Sequence, residues 1–313
     1  MHIQIDNLYK SFGKTVAVND LSFEFESGQI FAFVGPNGSG KTTTMRILAT
    51  LDTPDSGRCR FDGLNIIHYP EKARRLIGYM PDNLPTHRDL TVHDYLDFFA
   101  RAYGLRGRRR KSMIGQIEDF TNLKGIREKT LKSLSKGMKQ RVSLARALIH
   151  DPPMLLMDEP AAGLDPRARV ELRELLRALA DQGKAILISS HILTELAEMA
   201  NGAVIIERGK LLRAGTMKQI YDFGRTDQEP YQHVAIRTRD ENERLHRTLL
   251  EMPNVKAARI AGNHVEAEVV GDEDAACEMV AELLSKGFRL IEFKQVQADL
   301  EKLFMDVTKG DVQ

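Results

Sequence analysis

The segment GPNGSGKT, Gly35 to Thr42, follows the apolar run IFAFV and leads into TTMRILAT. Few sequence features restrict a fold as tightly. Its spacing is G-x-x-x-x-G-K-[ST], the pattern of a loop that wraps phosphates between a strand and a helix. The residue types follow from the chemistry. Glycines let the backbone curl so that the N–H groups of Gly38, Ser39, Gly40, Lys41, Thr42 and Thr43 face an anion, and the helix behind them contributes its positive end. Lys41 reaches the β and γ phosphates, and Thr42 places its hydroxyl on Mg2+. The whole loop, from Gly35 through Pro36 and Asn37 to Thr43, is therefore assigned to nucleotide binding. A glycine turn that binds nothing is the plain alternative. The strand before and the helix after, both of which the motif demands, argue against it.

A second element, MLLMDEP, is an apolar strand that delivers Asp158 to its carboxyl end. There a carboxylate can hold the water shell of Mg2+, and Glu159 follows as a candidate to polarise an attacking water. Apolar runs that end in acids are common, so this element gains its meaning from the phosphate loop. AILISSH sets His191 just past another strand; a lone histidine is usually a surface or satisfied core residue. Yet the phosphate loop, Asp82, Glu159 and His191 all follow expected strand ends, where open α/β sheets bind their ligands. Four polar landmarks on one edge predict a single site.

Strands alternating with helices predict a parallel sheet, and the helical spacing between Asn83 and about His150 predicts an inserted helical subdomain. Thr91 and Asp94 form a capping pair ahead of Val92, Tyr95, Leu96 and Phe99. AVIIERGKLLRAG reads as a hairpin turning at Arg208 to Lys210. Composition shifts at the polar stretch 221–232, taken as a linker. Beyond it the order is βαββαβ, a ferredoxin-like α+β arrangement, and ADLEKLFMDVT reads as a closing helix. The domains expected are thus 1–220, with the helical subdomain at about 83–150, and 233–313.

The net charge of +1 asks for neither nucleic acid nor an acidic substrate, and no nucleic-acid partner is expected. Cys59 and Cys277 are the only cysteines; with no CxxC they fit a reducing compartment. No apolar run approaches the roughly 20 residues that cross a bilayer. The run RGRRRK, Arg106 to Lys111, reads as a solvated loop at a helix end; contact with anionic lipid or with a partner is the alternative.

LSKGMKQR, from Leu134, reads as a helix start, with Ser135 as N-cap and free N–H groups that have no local acceptor. With it, the motifs GPNGSGKTT, LSKGMKQR, MLLMDEP, AAGLDP and ISSH fall in the order of one family over residues 1 to about 220. The chain resembles the ATP-binding subunit of an ABC transporter. That resemblance implies an α/β P-loop ATPase domain with a mixed sheet and helical subdomain, and a cytoplasmic ATP hydrolase that uses ATP and Mg2+. It also implies a second ATP-binding subunit, in a homodimer, packed head to tail. The helix at Ser135 and Gly137 would then cap the γ phosphate of the nucleotide held by the other copy. Phe12 takes the place of the adenine-stacking ring, with Tyr9 as a nearby alternative; packing is the ordinary role of either. His191 would hold the γ phosphate. Asp165 matches the loop facing the opposing subunit, and capping of the next helix is its other reading.

A separate transmembrane permease would carry the cargo, holding this chain at the inner face of the membrane. The small appended domain resembles those of bacterial export ATPases. Two departures stand out. Lys136 and Met138 replace one glycine and the glutamine of the usual Leu-Ser-Gly-Gly-Gln, and Asp82 stands where glutamine is usual, one methylene shorter, facing Mg2+ or water. Rival readings are a soluble ABC-type ATPase acting on DNA or ribosomes, a kinase built on the same loop, and a nucleotide sensor without turnover. A second cassette or a long coiled-coil insertion, common in the first of these, is missing from the sequence.

Overall fold

The structure, a computed structural model, describes residues 1–84, 90–190, 199–222 and 231–295. Contacts divide it into two compact units, one spanning Met1–Ile220 and the other beginning at Tyr221.

The strands of the first unit are β1 (His2–Phe12), β2 (Thr15–Glu26), β3 (Ile30–Val34), β4 (Ser56–Phe61), β5 (Leu64–Asn65), β6 (Ile77–Met80), β7 (Met154–Asp158), β8 (Ala185–Ser190), β9 (Gly202–Glu207) and β10 (Lys210–Thr216). Its helices are α1 (Lys41–Leu48), α2 (Pro70–Ala73), α3 (Val92–Ala102), α4 (Gly107–Phe120), α5 (Lys136–Leu148) and α6 (Pro166–Asp181), and α7 (Met217–Asp222) begins in it and crosses the boundary after Ile220.

Every residue of β3, β7 and β8 is buried. An apolar run covered on both faces belongs in the middle of a parallel sheet, and these strands occupy that place in the order β10-β9-β3-β8-β7-β6. All neighbours are parallel except β10, which returns antiparallel on β9 through the expected hairpin, so the sheet is mixed. A second sheet, order β2-β1-β4-β5, is antiparallel. Its apolar residues, among them Ile3, Ile5, Phe23 and Phe61, share one core with Phe31, Phe33, Met45 and Leu156 of the first sheet and α1.

The helical part has its own core, in which Val92, Tyr95 and Leu96 meet Ile114 and Val142. Thr91 caps α3: its hydroxyl accepts the Asp94 N–H at 3.1 Å and donates to the Asp94 carboxylate at 2.7 Å. Such a cap is worth about 1 kcal/mol. One expectation fails here. RGRRRK is the first turn and a half of α4, with Arg106 at the N-cap, and not a loop. Ile114, with Met113 and Ile117 packed against the same cluster, draws the segment into a helix from its far end.

The second unit holds β11 (Tyr231–Thr238), α8 (Asn242–Leu250), β12 (Val255–Ala261), β13 (His264–Val270), α9 (Glu273–Ser285) and β14 (Leu290–Gln295). The sheet order is β12-β13-β11-β14 with antiparallel neighbours throughout, the split βαβ arrangement. Val234, Ile236, Val265 and Val269 bury one sheet face against Leu245, Leu249, Met279 and Leu283 of the two helices. The expected closing helix, 298–308, and most of the expected linker lie outside the described residues.

Candidate functional site

Sheet register brings four strand ends level. Val34 pairs with Ser190, Ser189 with Asp158, and Met157 with Met80. Gly35, Glu159 and Asp82 therefore leave the sheet along one carboxyl edge, where parallel sheets present ligand sites. His191, expected beside them, lies outside the described residues.

The phosphate loop is shaped by close backbone approach. Gly40, the N-cap of α1, has φ 101, and a methyl group there would lie 2.2 Å from the Ala17 carbonyl oxygen of β2. A methyl on Gly35 would lie 2.4 Å from the Ile206 oxygen of β9. Only glycine fits between these strands. Ser39 N–H donates to Pro36 O at 3.1 Å, and Gly209 N–H donates to Ser39 O at 3.0 Å, which closes the turn. The Ser39 hydroxyl is buried with no partner among the described residues, so the cradle holds an orphaned polar atom of the kind that a ligand satisfies. Pro36, Asn37 and Gly38 form the exposed rim.

Lys41 is 6% exposed; its Nζ donates to Gly35 O at 2.7 Å and Pro36 O at 3.2 Å and lies 4.0 Å from Glu159 Oε1. Burial lowers its pKa, and the charges of Glu159 and Asp158 oppose that shift. Phosphate oxygens bind an ammonium more strongly than carbonyl oxygens do, so the loop carbonyls that hold Nζ are weaker partners than a bound phosphate. On α1, Thr44 spends its hydroxyl on Gly40 O at 3.0 Å. Thr42 is exposed, its hydroxyl without a partner among the described residues, and Thr43 is half-buried.

Asp158 closes β7 at 2% exposure, its Oδ1 accepting the Ser189 hydroxyl at 2.6 Å. The same hydroxyl accepts the Glu159 N–H at 3.0 Å. Glu159 has φ 50, a left-handed conformation uncommon outside glycine. That turn separates two adjacent acids: Asp158 stays in the core, while the Glu159 side chain, 16% exposed, faces Lys41. Mg2+ keeps several waters and needs only one or two protein donors beside phosphate oxygens. The Thr42 hydroxyl and the Asp158 carboxylate are oxygen donors of that kind. Asp82 sits on an exposed bend and accepts from Asn83 Nδ2 at 3.2 Å.

Ser135 caps α5, accepting the Met138 N–H at 3.4 Å, and Asp165 caps α6, accepting the Ala168 N–H at 2.9 Å. The two segments touch within the chain. A methyl on Gly137 would lie 3.7 Å from Leu164 Cδ2, and the Lys136 side chain runs over Gly163, where a methyl would meet Nζ at 2.5 Å. The first N–H groups of α5 have no acceptor inside the helix. Phe12 is 53% exposed with Lys10 Nζ 5.2 Å from its ring centre, whereas Tyr9 is half-buried. Phe12 pairs with Thr15, two residues before the Ala17 that presses on Gly40.

Ser189 carries a role that sequence reading missed. Its only signal was a pair of serines ending an apolar strand.

A family model described as "ABC transporter" matches residues 18–162. The Nod factor export ATP-binding protein I of Paraburkholderia xenovorans is 39% identical over 215 residues, covering 68% of this chain and 70% of that protein. An uncharacterized ABC transporter ATP-binding protein of Bacillus subtilis is 31% identical over 305 residues, covering 97% and 99%. The solved ATP-binding subunit of an ABC transporter superposes with a TM-score of 0.66 at 29% identity, over 72% of this chain and 94% of that one. A dimeric bacterial ABC transporter cassette, at 24% identity and a TM-score of 0.63 over 68% and 98%, shares the fold.

Proposed function

The chain belongs to the ABC transporter family of ATP-binding subunits, and on that premise we propose that it hydrolyses Mg-ATP, dimerises on ATP and drives export through a separate permease. The observation that supports it most is the meeting of Lys41, Asp158 and Glu159 at a phosphate loop whose buried Ser39 hydroxyl lacks a partner among the described residues. Export follows the Nod factor export relative, and a homodimer is the simplest pairing for the free start of α5. The permease would hold the protein at the inner face of the membrane.

In this reading the N–H groups of Gly38 to Thr43 and the Lys41 ammonium hold the phosphates. Thr42 and Asp158 hold Mg2+, which when bound neutralises phosphate charge, and Asp82 meets the water around it. Phe12 carries the adenine. Glu159 accepts the proton of the attacking water, and His191 fixes the γ phosphate. Ser135, Gly137 and the dipole of α5 face the γ phosphate held by the second copy. Hydrolysis removes the group that bridges the two copies, so the dimer reopens.

Sedimentation velocity of the Glu159→Gln protein tests the reading. A monomer that becomes a dimer only with Mg-ATP is expected. A persistent monomer with ATP bound, or undiminished turnover in this variant, would overturn it.

A further inference from the structure

The chain is nearly neutral, but its charge is unevenly placed. Within 106–111, only Arg110 has a carboxylate partner among the described residues: its Nε lies 2.8 Å from Asp97 Oδ1, and Asp97 also takes Arg101 Nε at 2.7 Å. Arg106, Arg108, Arg109 and Lys111 are exposed and carry no ion pair among the described residues. Their position is unfavourable for the protein itself. They occupy the N-cap and the first turns of α4, where the helix dipole repels cations and where acids stabilise. The first turn contains no acid, and the N-cap makes no side-chain hydrogen bond. Helix stability does not account for this choice of residues.

Exposed rings stand nearby in the chain. Phe98 is 61% exposed on α3, one turn from Arg101, and Tyr103, at the end of that helix, is 40% exposed although it stacks on His150 at 3.7 Å. The Asp97 bridge ties this end of α3 to the start of α4. Clustered cations suit a bilayer surface, where they meet anionic headgroups, and exposed aromatic rings settle at such an interface. Single-stranded nucleic acid asks instead for rings interleaved with cations along a groove, and here the rings precede the run.

We propose that the start of α4, through Arg106, Arg108, Arg109 and Lys111, contacts anionic phospholipid headgroups. The side-chain charges carry this contact. It rests on the reading that the protein works beside a membrane, and it adds a lipid contact to the one with a permease.

The test is co-sedimentation of the full chain, without any permease, with vesicles of phosphatidylcholine alone or mixed equally with phosphatidylglycerol. Binding to the mixed vesicles only is expected, weakening as salt shortens the screening length. Each cation near such a surface contributes about fivefold, so Arg108→Gln should weaken binding by about that factor. The combined Arg106→Gln, Arg108→Gln, Arg109→Gln, Lys111→Gln protein should lose it. Glutamine is a good helix former and removes repulsion at the dipole, so the melting temperature of this variant should equal or exceed the parent's. Equal vesicle binding by parent and variant would overturn the proposal. So would no binding by a parent that still binds Mg-ATP, or binding of a single-stranded oligonucleotide in place of vesicles. Nucleotide-driven dimerisation of Glu159→Gln is read separately, so failure at the vesicles leaves the ATPase reading standing.

Discussion

Ser189 is the sharpest lever on Asp158, which ends β7, and on Glu159 just after it. A serine hydroxyl has one proton and two lone pairs, and both capacities are used: the proton goes to Asp158 Oδ1 at 2.6 Å and a lone pair takes the Glu159 N–H at 3.0 Å. Ser189→Ala removes both bonds. The Glu159 N–H retains the Ser189 carbonyl at 3.2 Å, so the loss falls on the carboxylate of Asp158, which is 2% exposed and has little water to turn to. A hydrogen bond to a charged group contributes about 1.5–3 kcal/mol, and the unfolding free energy should fall by that amount. The functional consequence is separable. If Asp158 holds Mg2+, Ser189 orients it, and losing such an orienting partner costs about 10–100-fold in metal affinity or activity. Steady-state ATP hydrolysis at fixed ATP, titrated with Mg2+, should show half-saturation moving up by that factor. A destabilised protein whose Mg2+ half-saturation stays within about twofold of the parent would refute the reasoning. Ser189 would then be a strand-packing residue only.

Three more substitutions probe the phosphate loop and a half-buried histidine against the start of β6. Gly40→Ala places a methyl 2.2 Å from Ala17 O at φ 101, whereas Gly38→Ala, at φ 81, meets nothing within 4 Å. Both carry the cost of a left-handed alanine, about 1–2 kcal/mol, but Gly40→Ala adds about 1–3 kcal/mol of overpacking. Urea midpoints should rank them so, and equal losses would count against the contact between β2 and the loop. Burial pushes His150 from 6.5 down to about 4. As pH falls through that window the unfolded chain takes up the proton first, so folding stability declines from pH 6.5 toward about 4. His150→Phe keeps an aromatic ring against Tyr103 and removes the titration. The stability difference between about pH 7 and about pH 5 should shrink, and an unchanged slope would exclude His150 as its source.

What could be read without coordinates had local causes. The phosphate loop, the buried strands at IFAFV, MLLMD and AILISS, the β9–β10 hairpin and the βαββαβ order each carry a short-range pattern of apolar spacing and glycine. The antiparallel sheet beside them was less visible. SGRCRF has only Cys59 and Phe61 as buried residues, and β4 is a strand because β1, far earlier in the chain, pairs Ile5 with Cys59 and Ile3 with Phe61. RGRRRK misled for a related reason. Its arginines have no apolar period, and the helix they open is held by Ile114 and the cluster behind it. Ser189 was hidden because a hydroxyl at the end of a strand becomes informative only when the register sets it opposite Asp158.

The two substitutions in the LSKGMKQR segment can now be judged by what they touch. Met138 packs against the helical core that holds Val92 and Val142, so its side chain belongs to packing and offers no polar contact in place of glutamine. Lys136 lays its stem over Gly163, whose φ of 68 and lack of a side chain leave room for it. Both residues thus brace the first turn of α5 against their own chain. What the turn still offers outward is the Ser135 hydroxyl and the N–H groups of Lys136 and Gly137, none of which depends on the identity of residue 136 or 138. Backbone N–H groups and a helix dipole are indifferent to side chains. The proposed role of this helix start in holding an anion therefore depends on neither departure, because it rests on backbone N–H groups and the helix dipole.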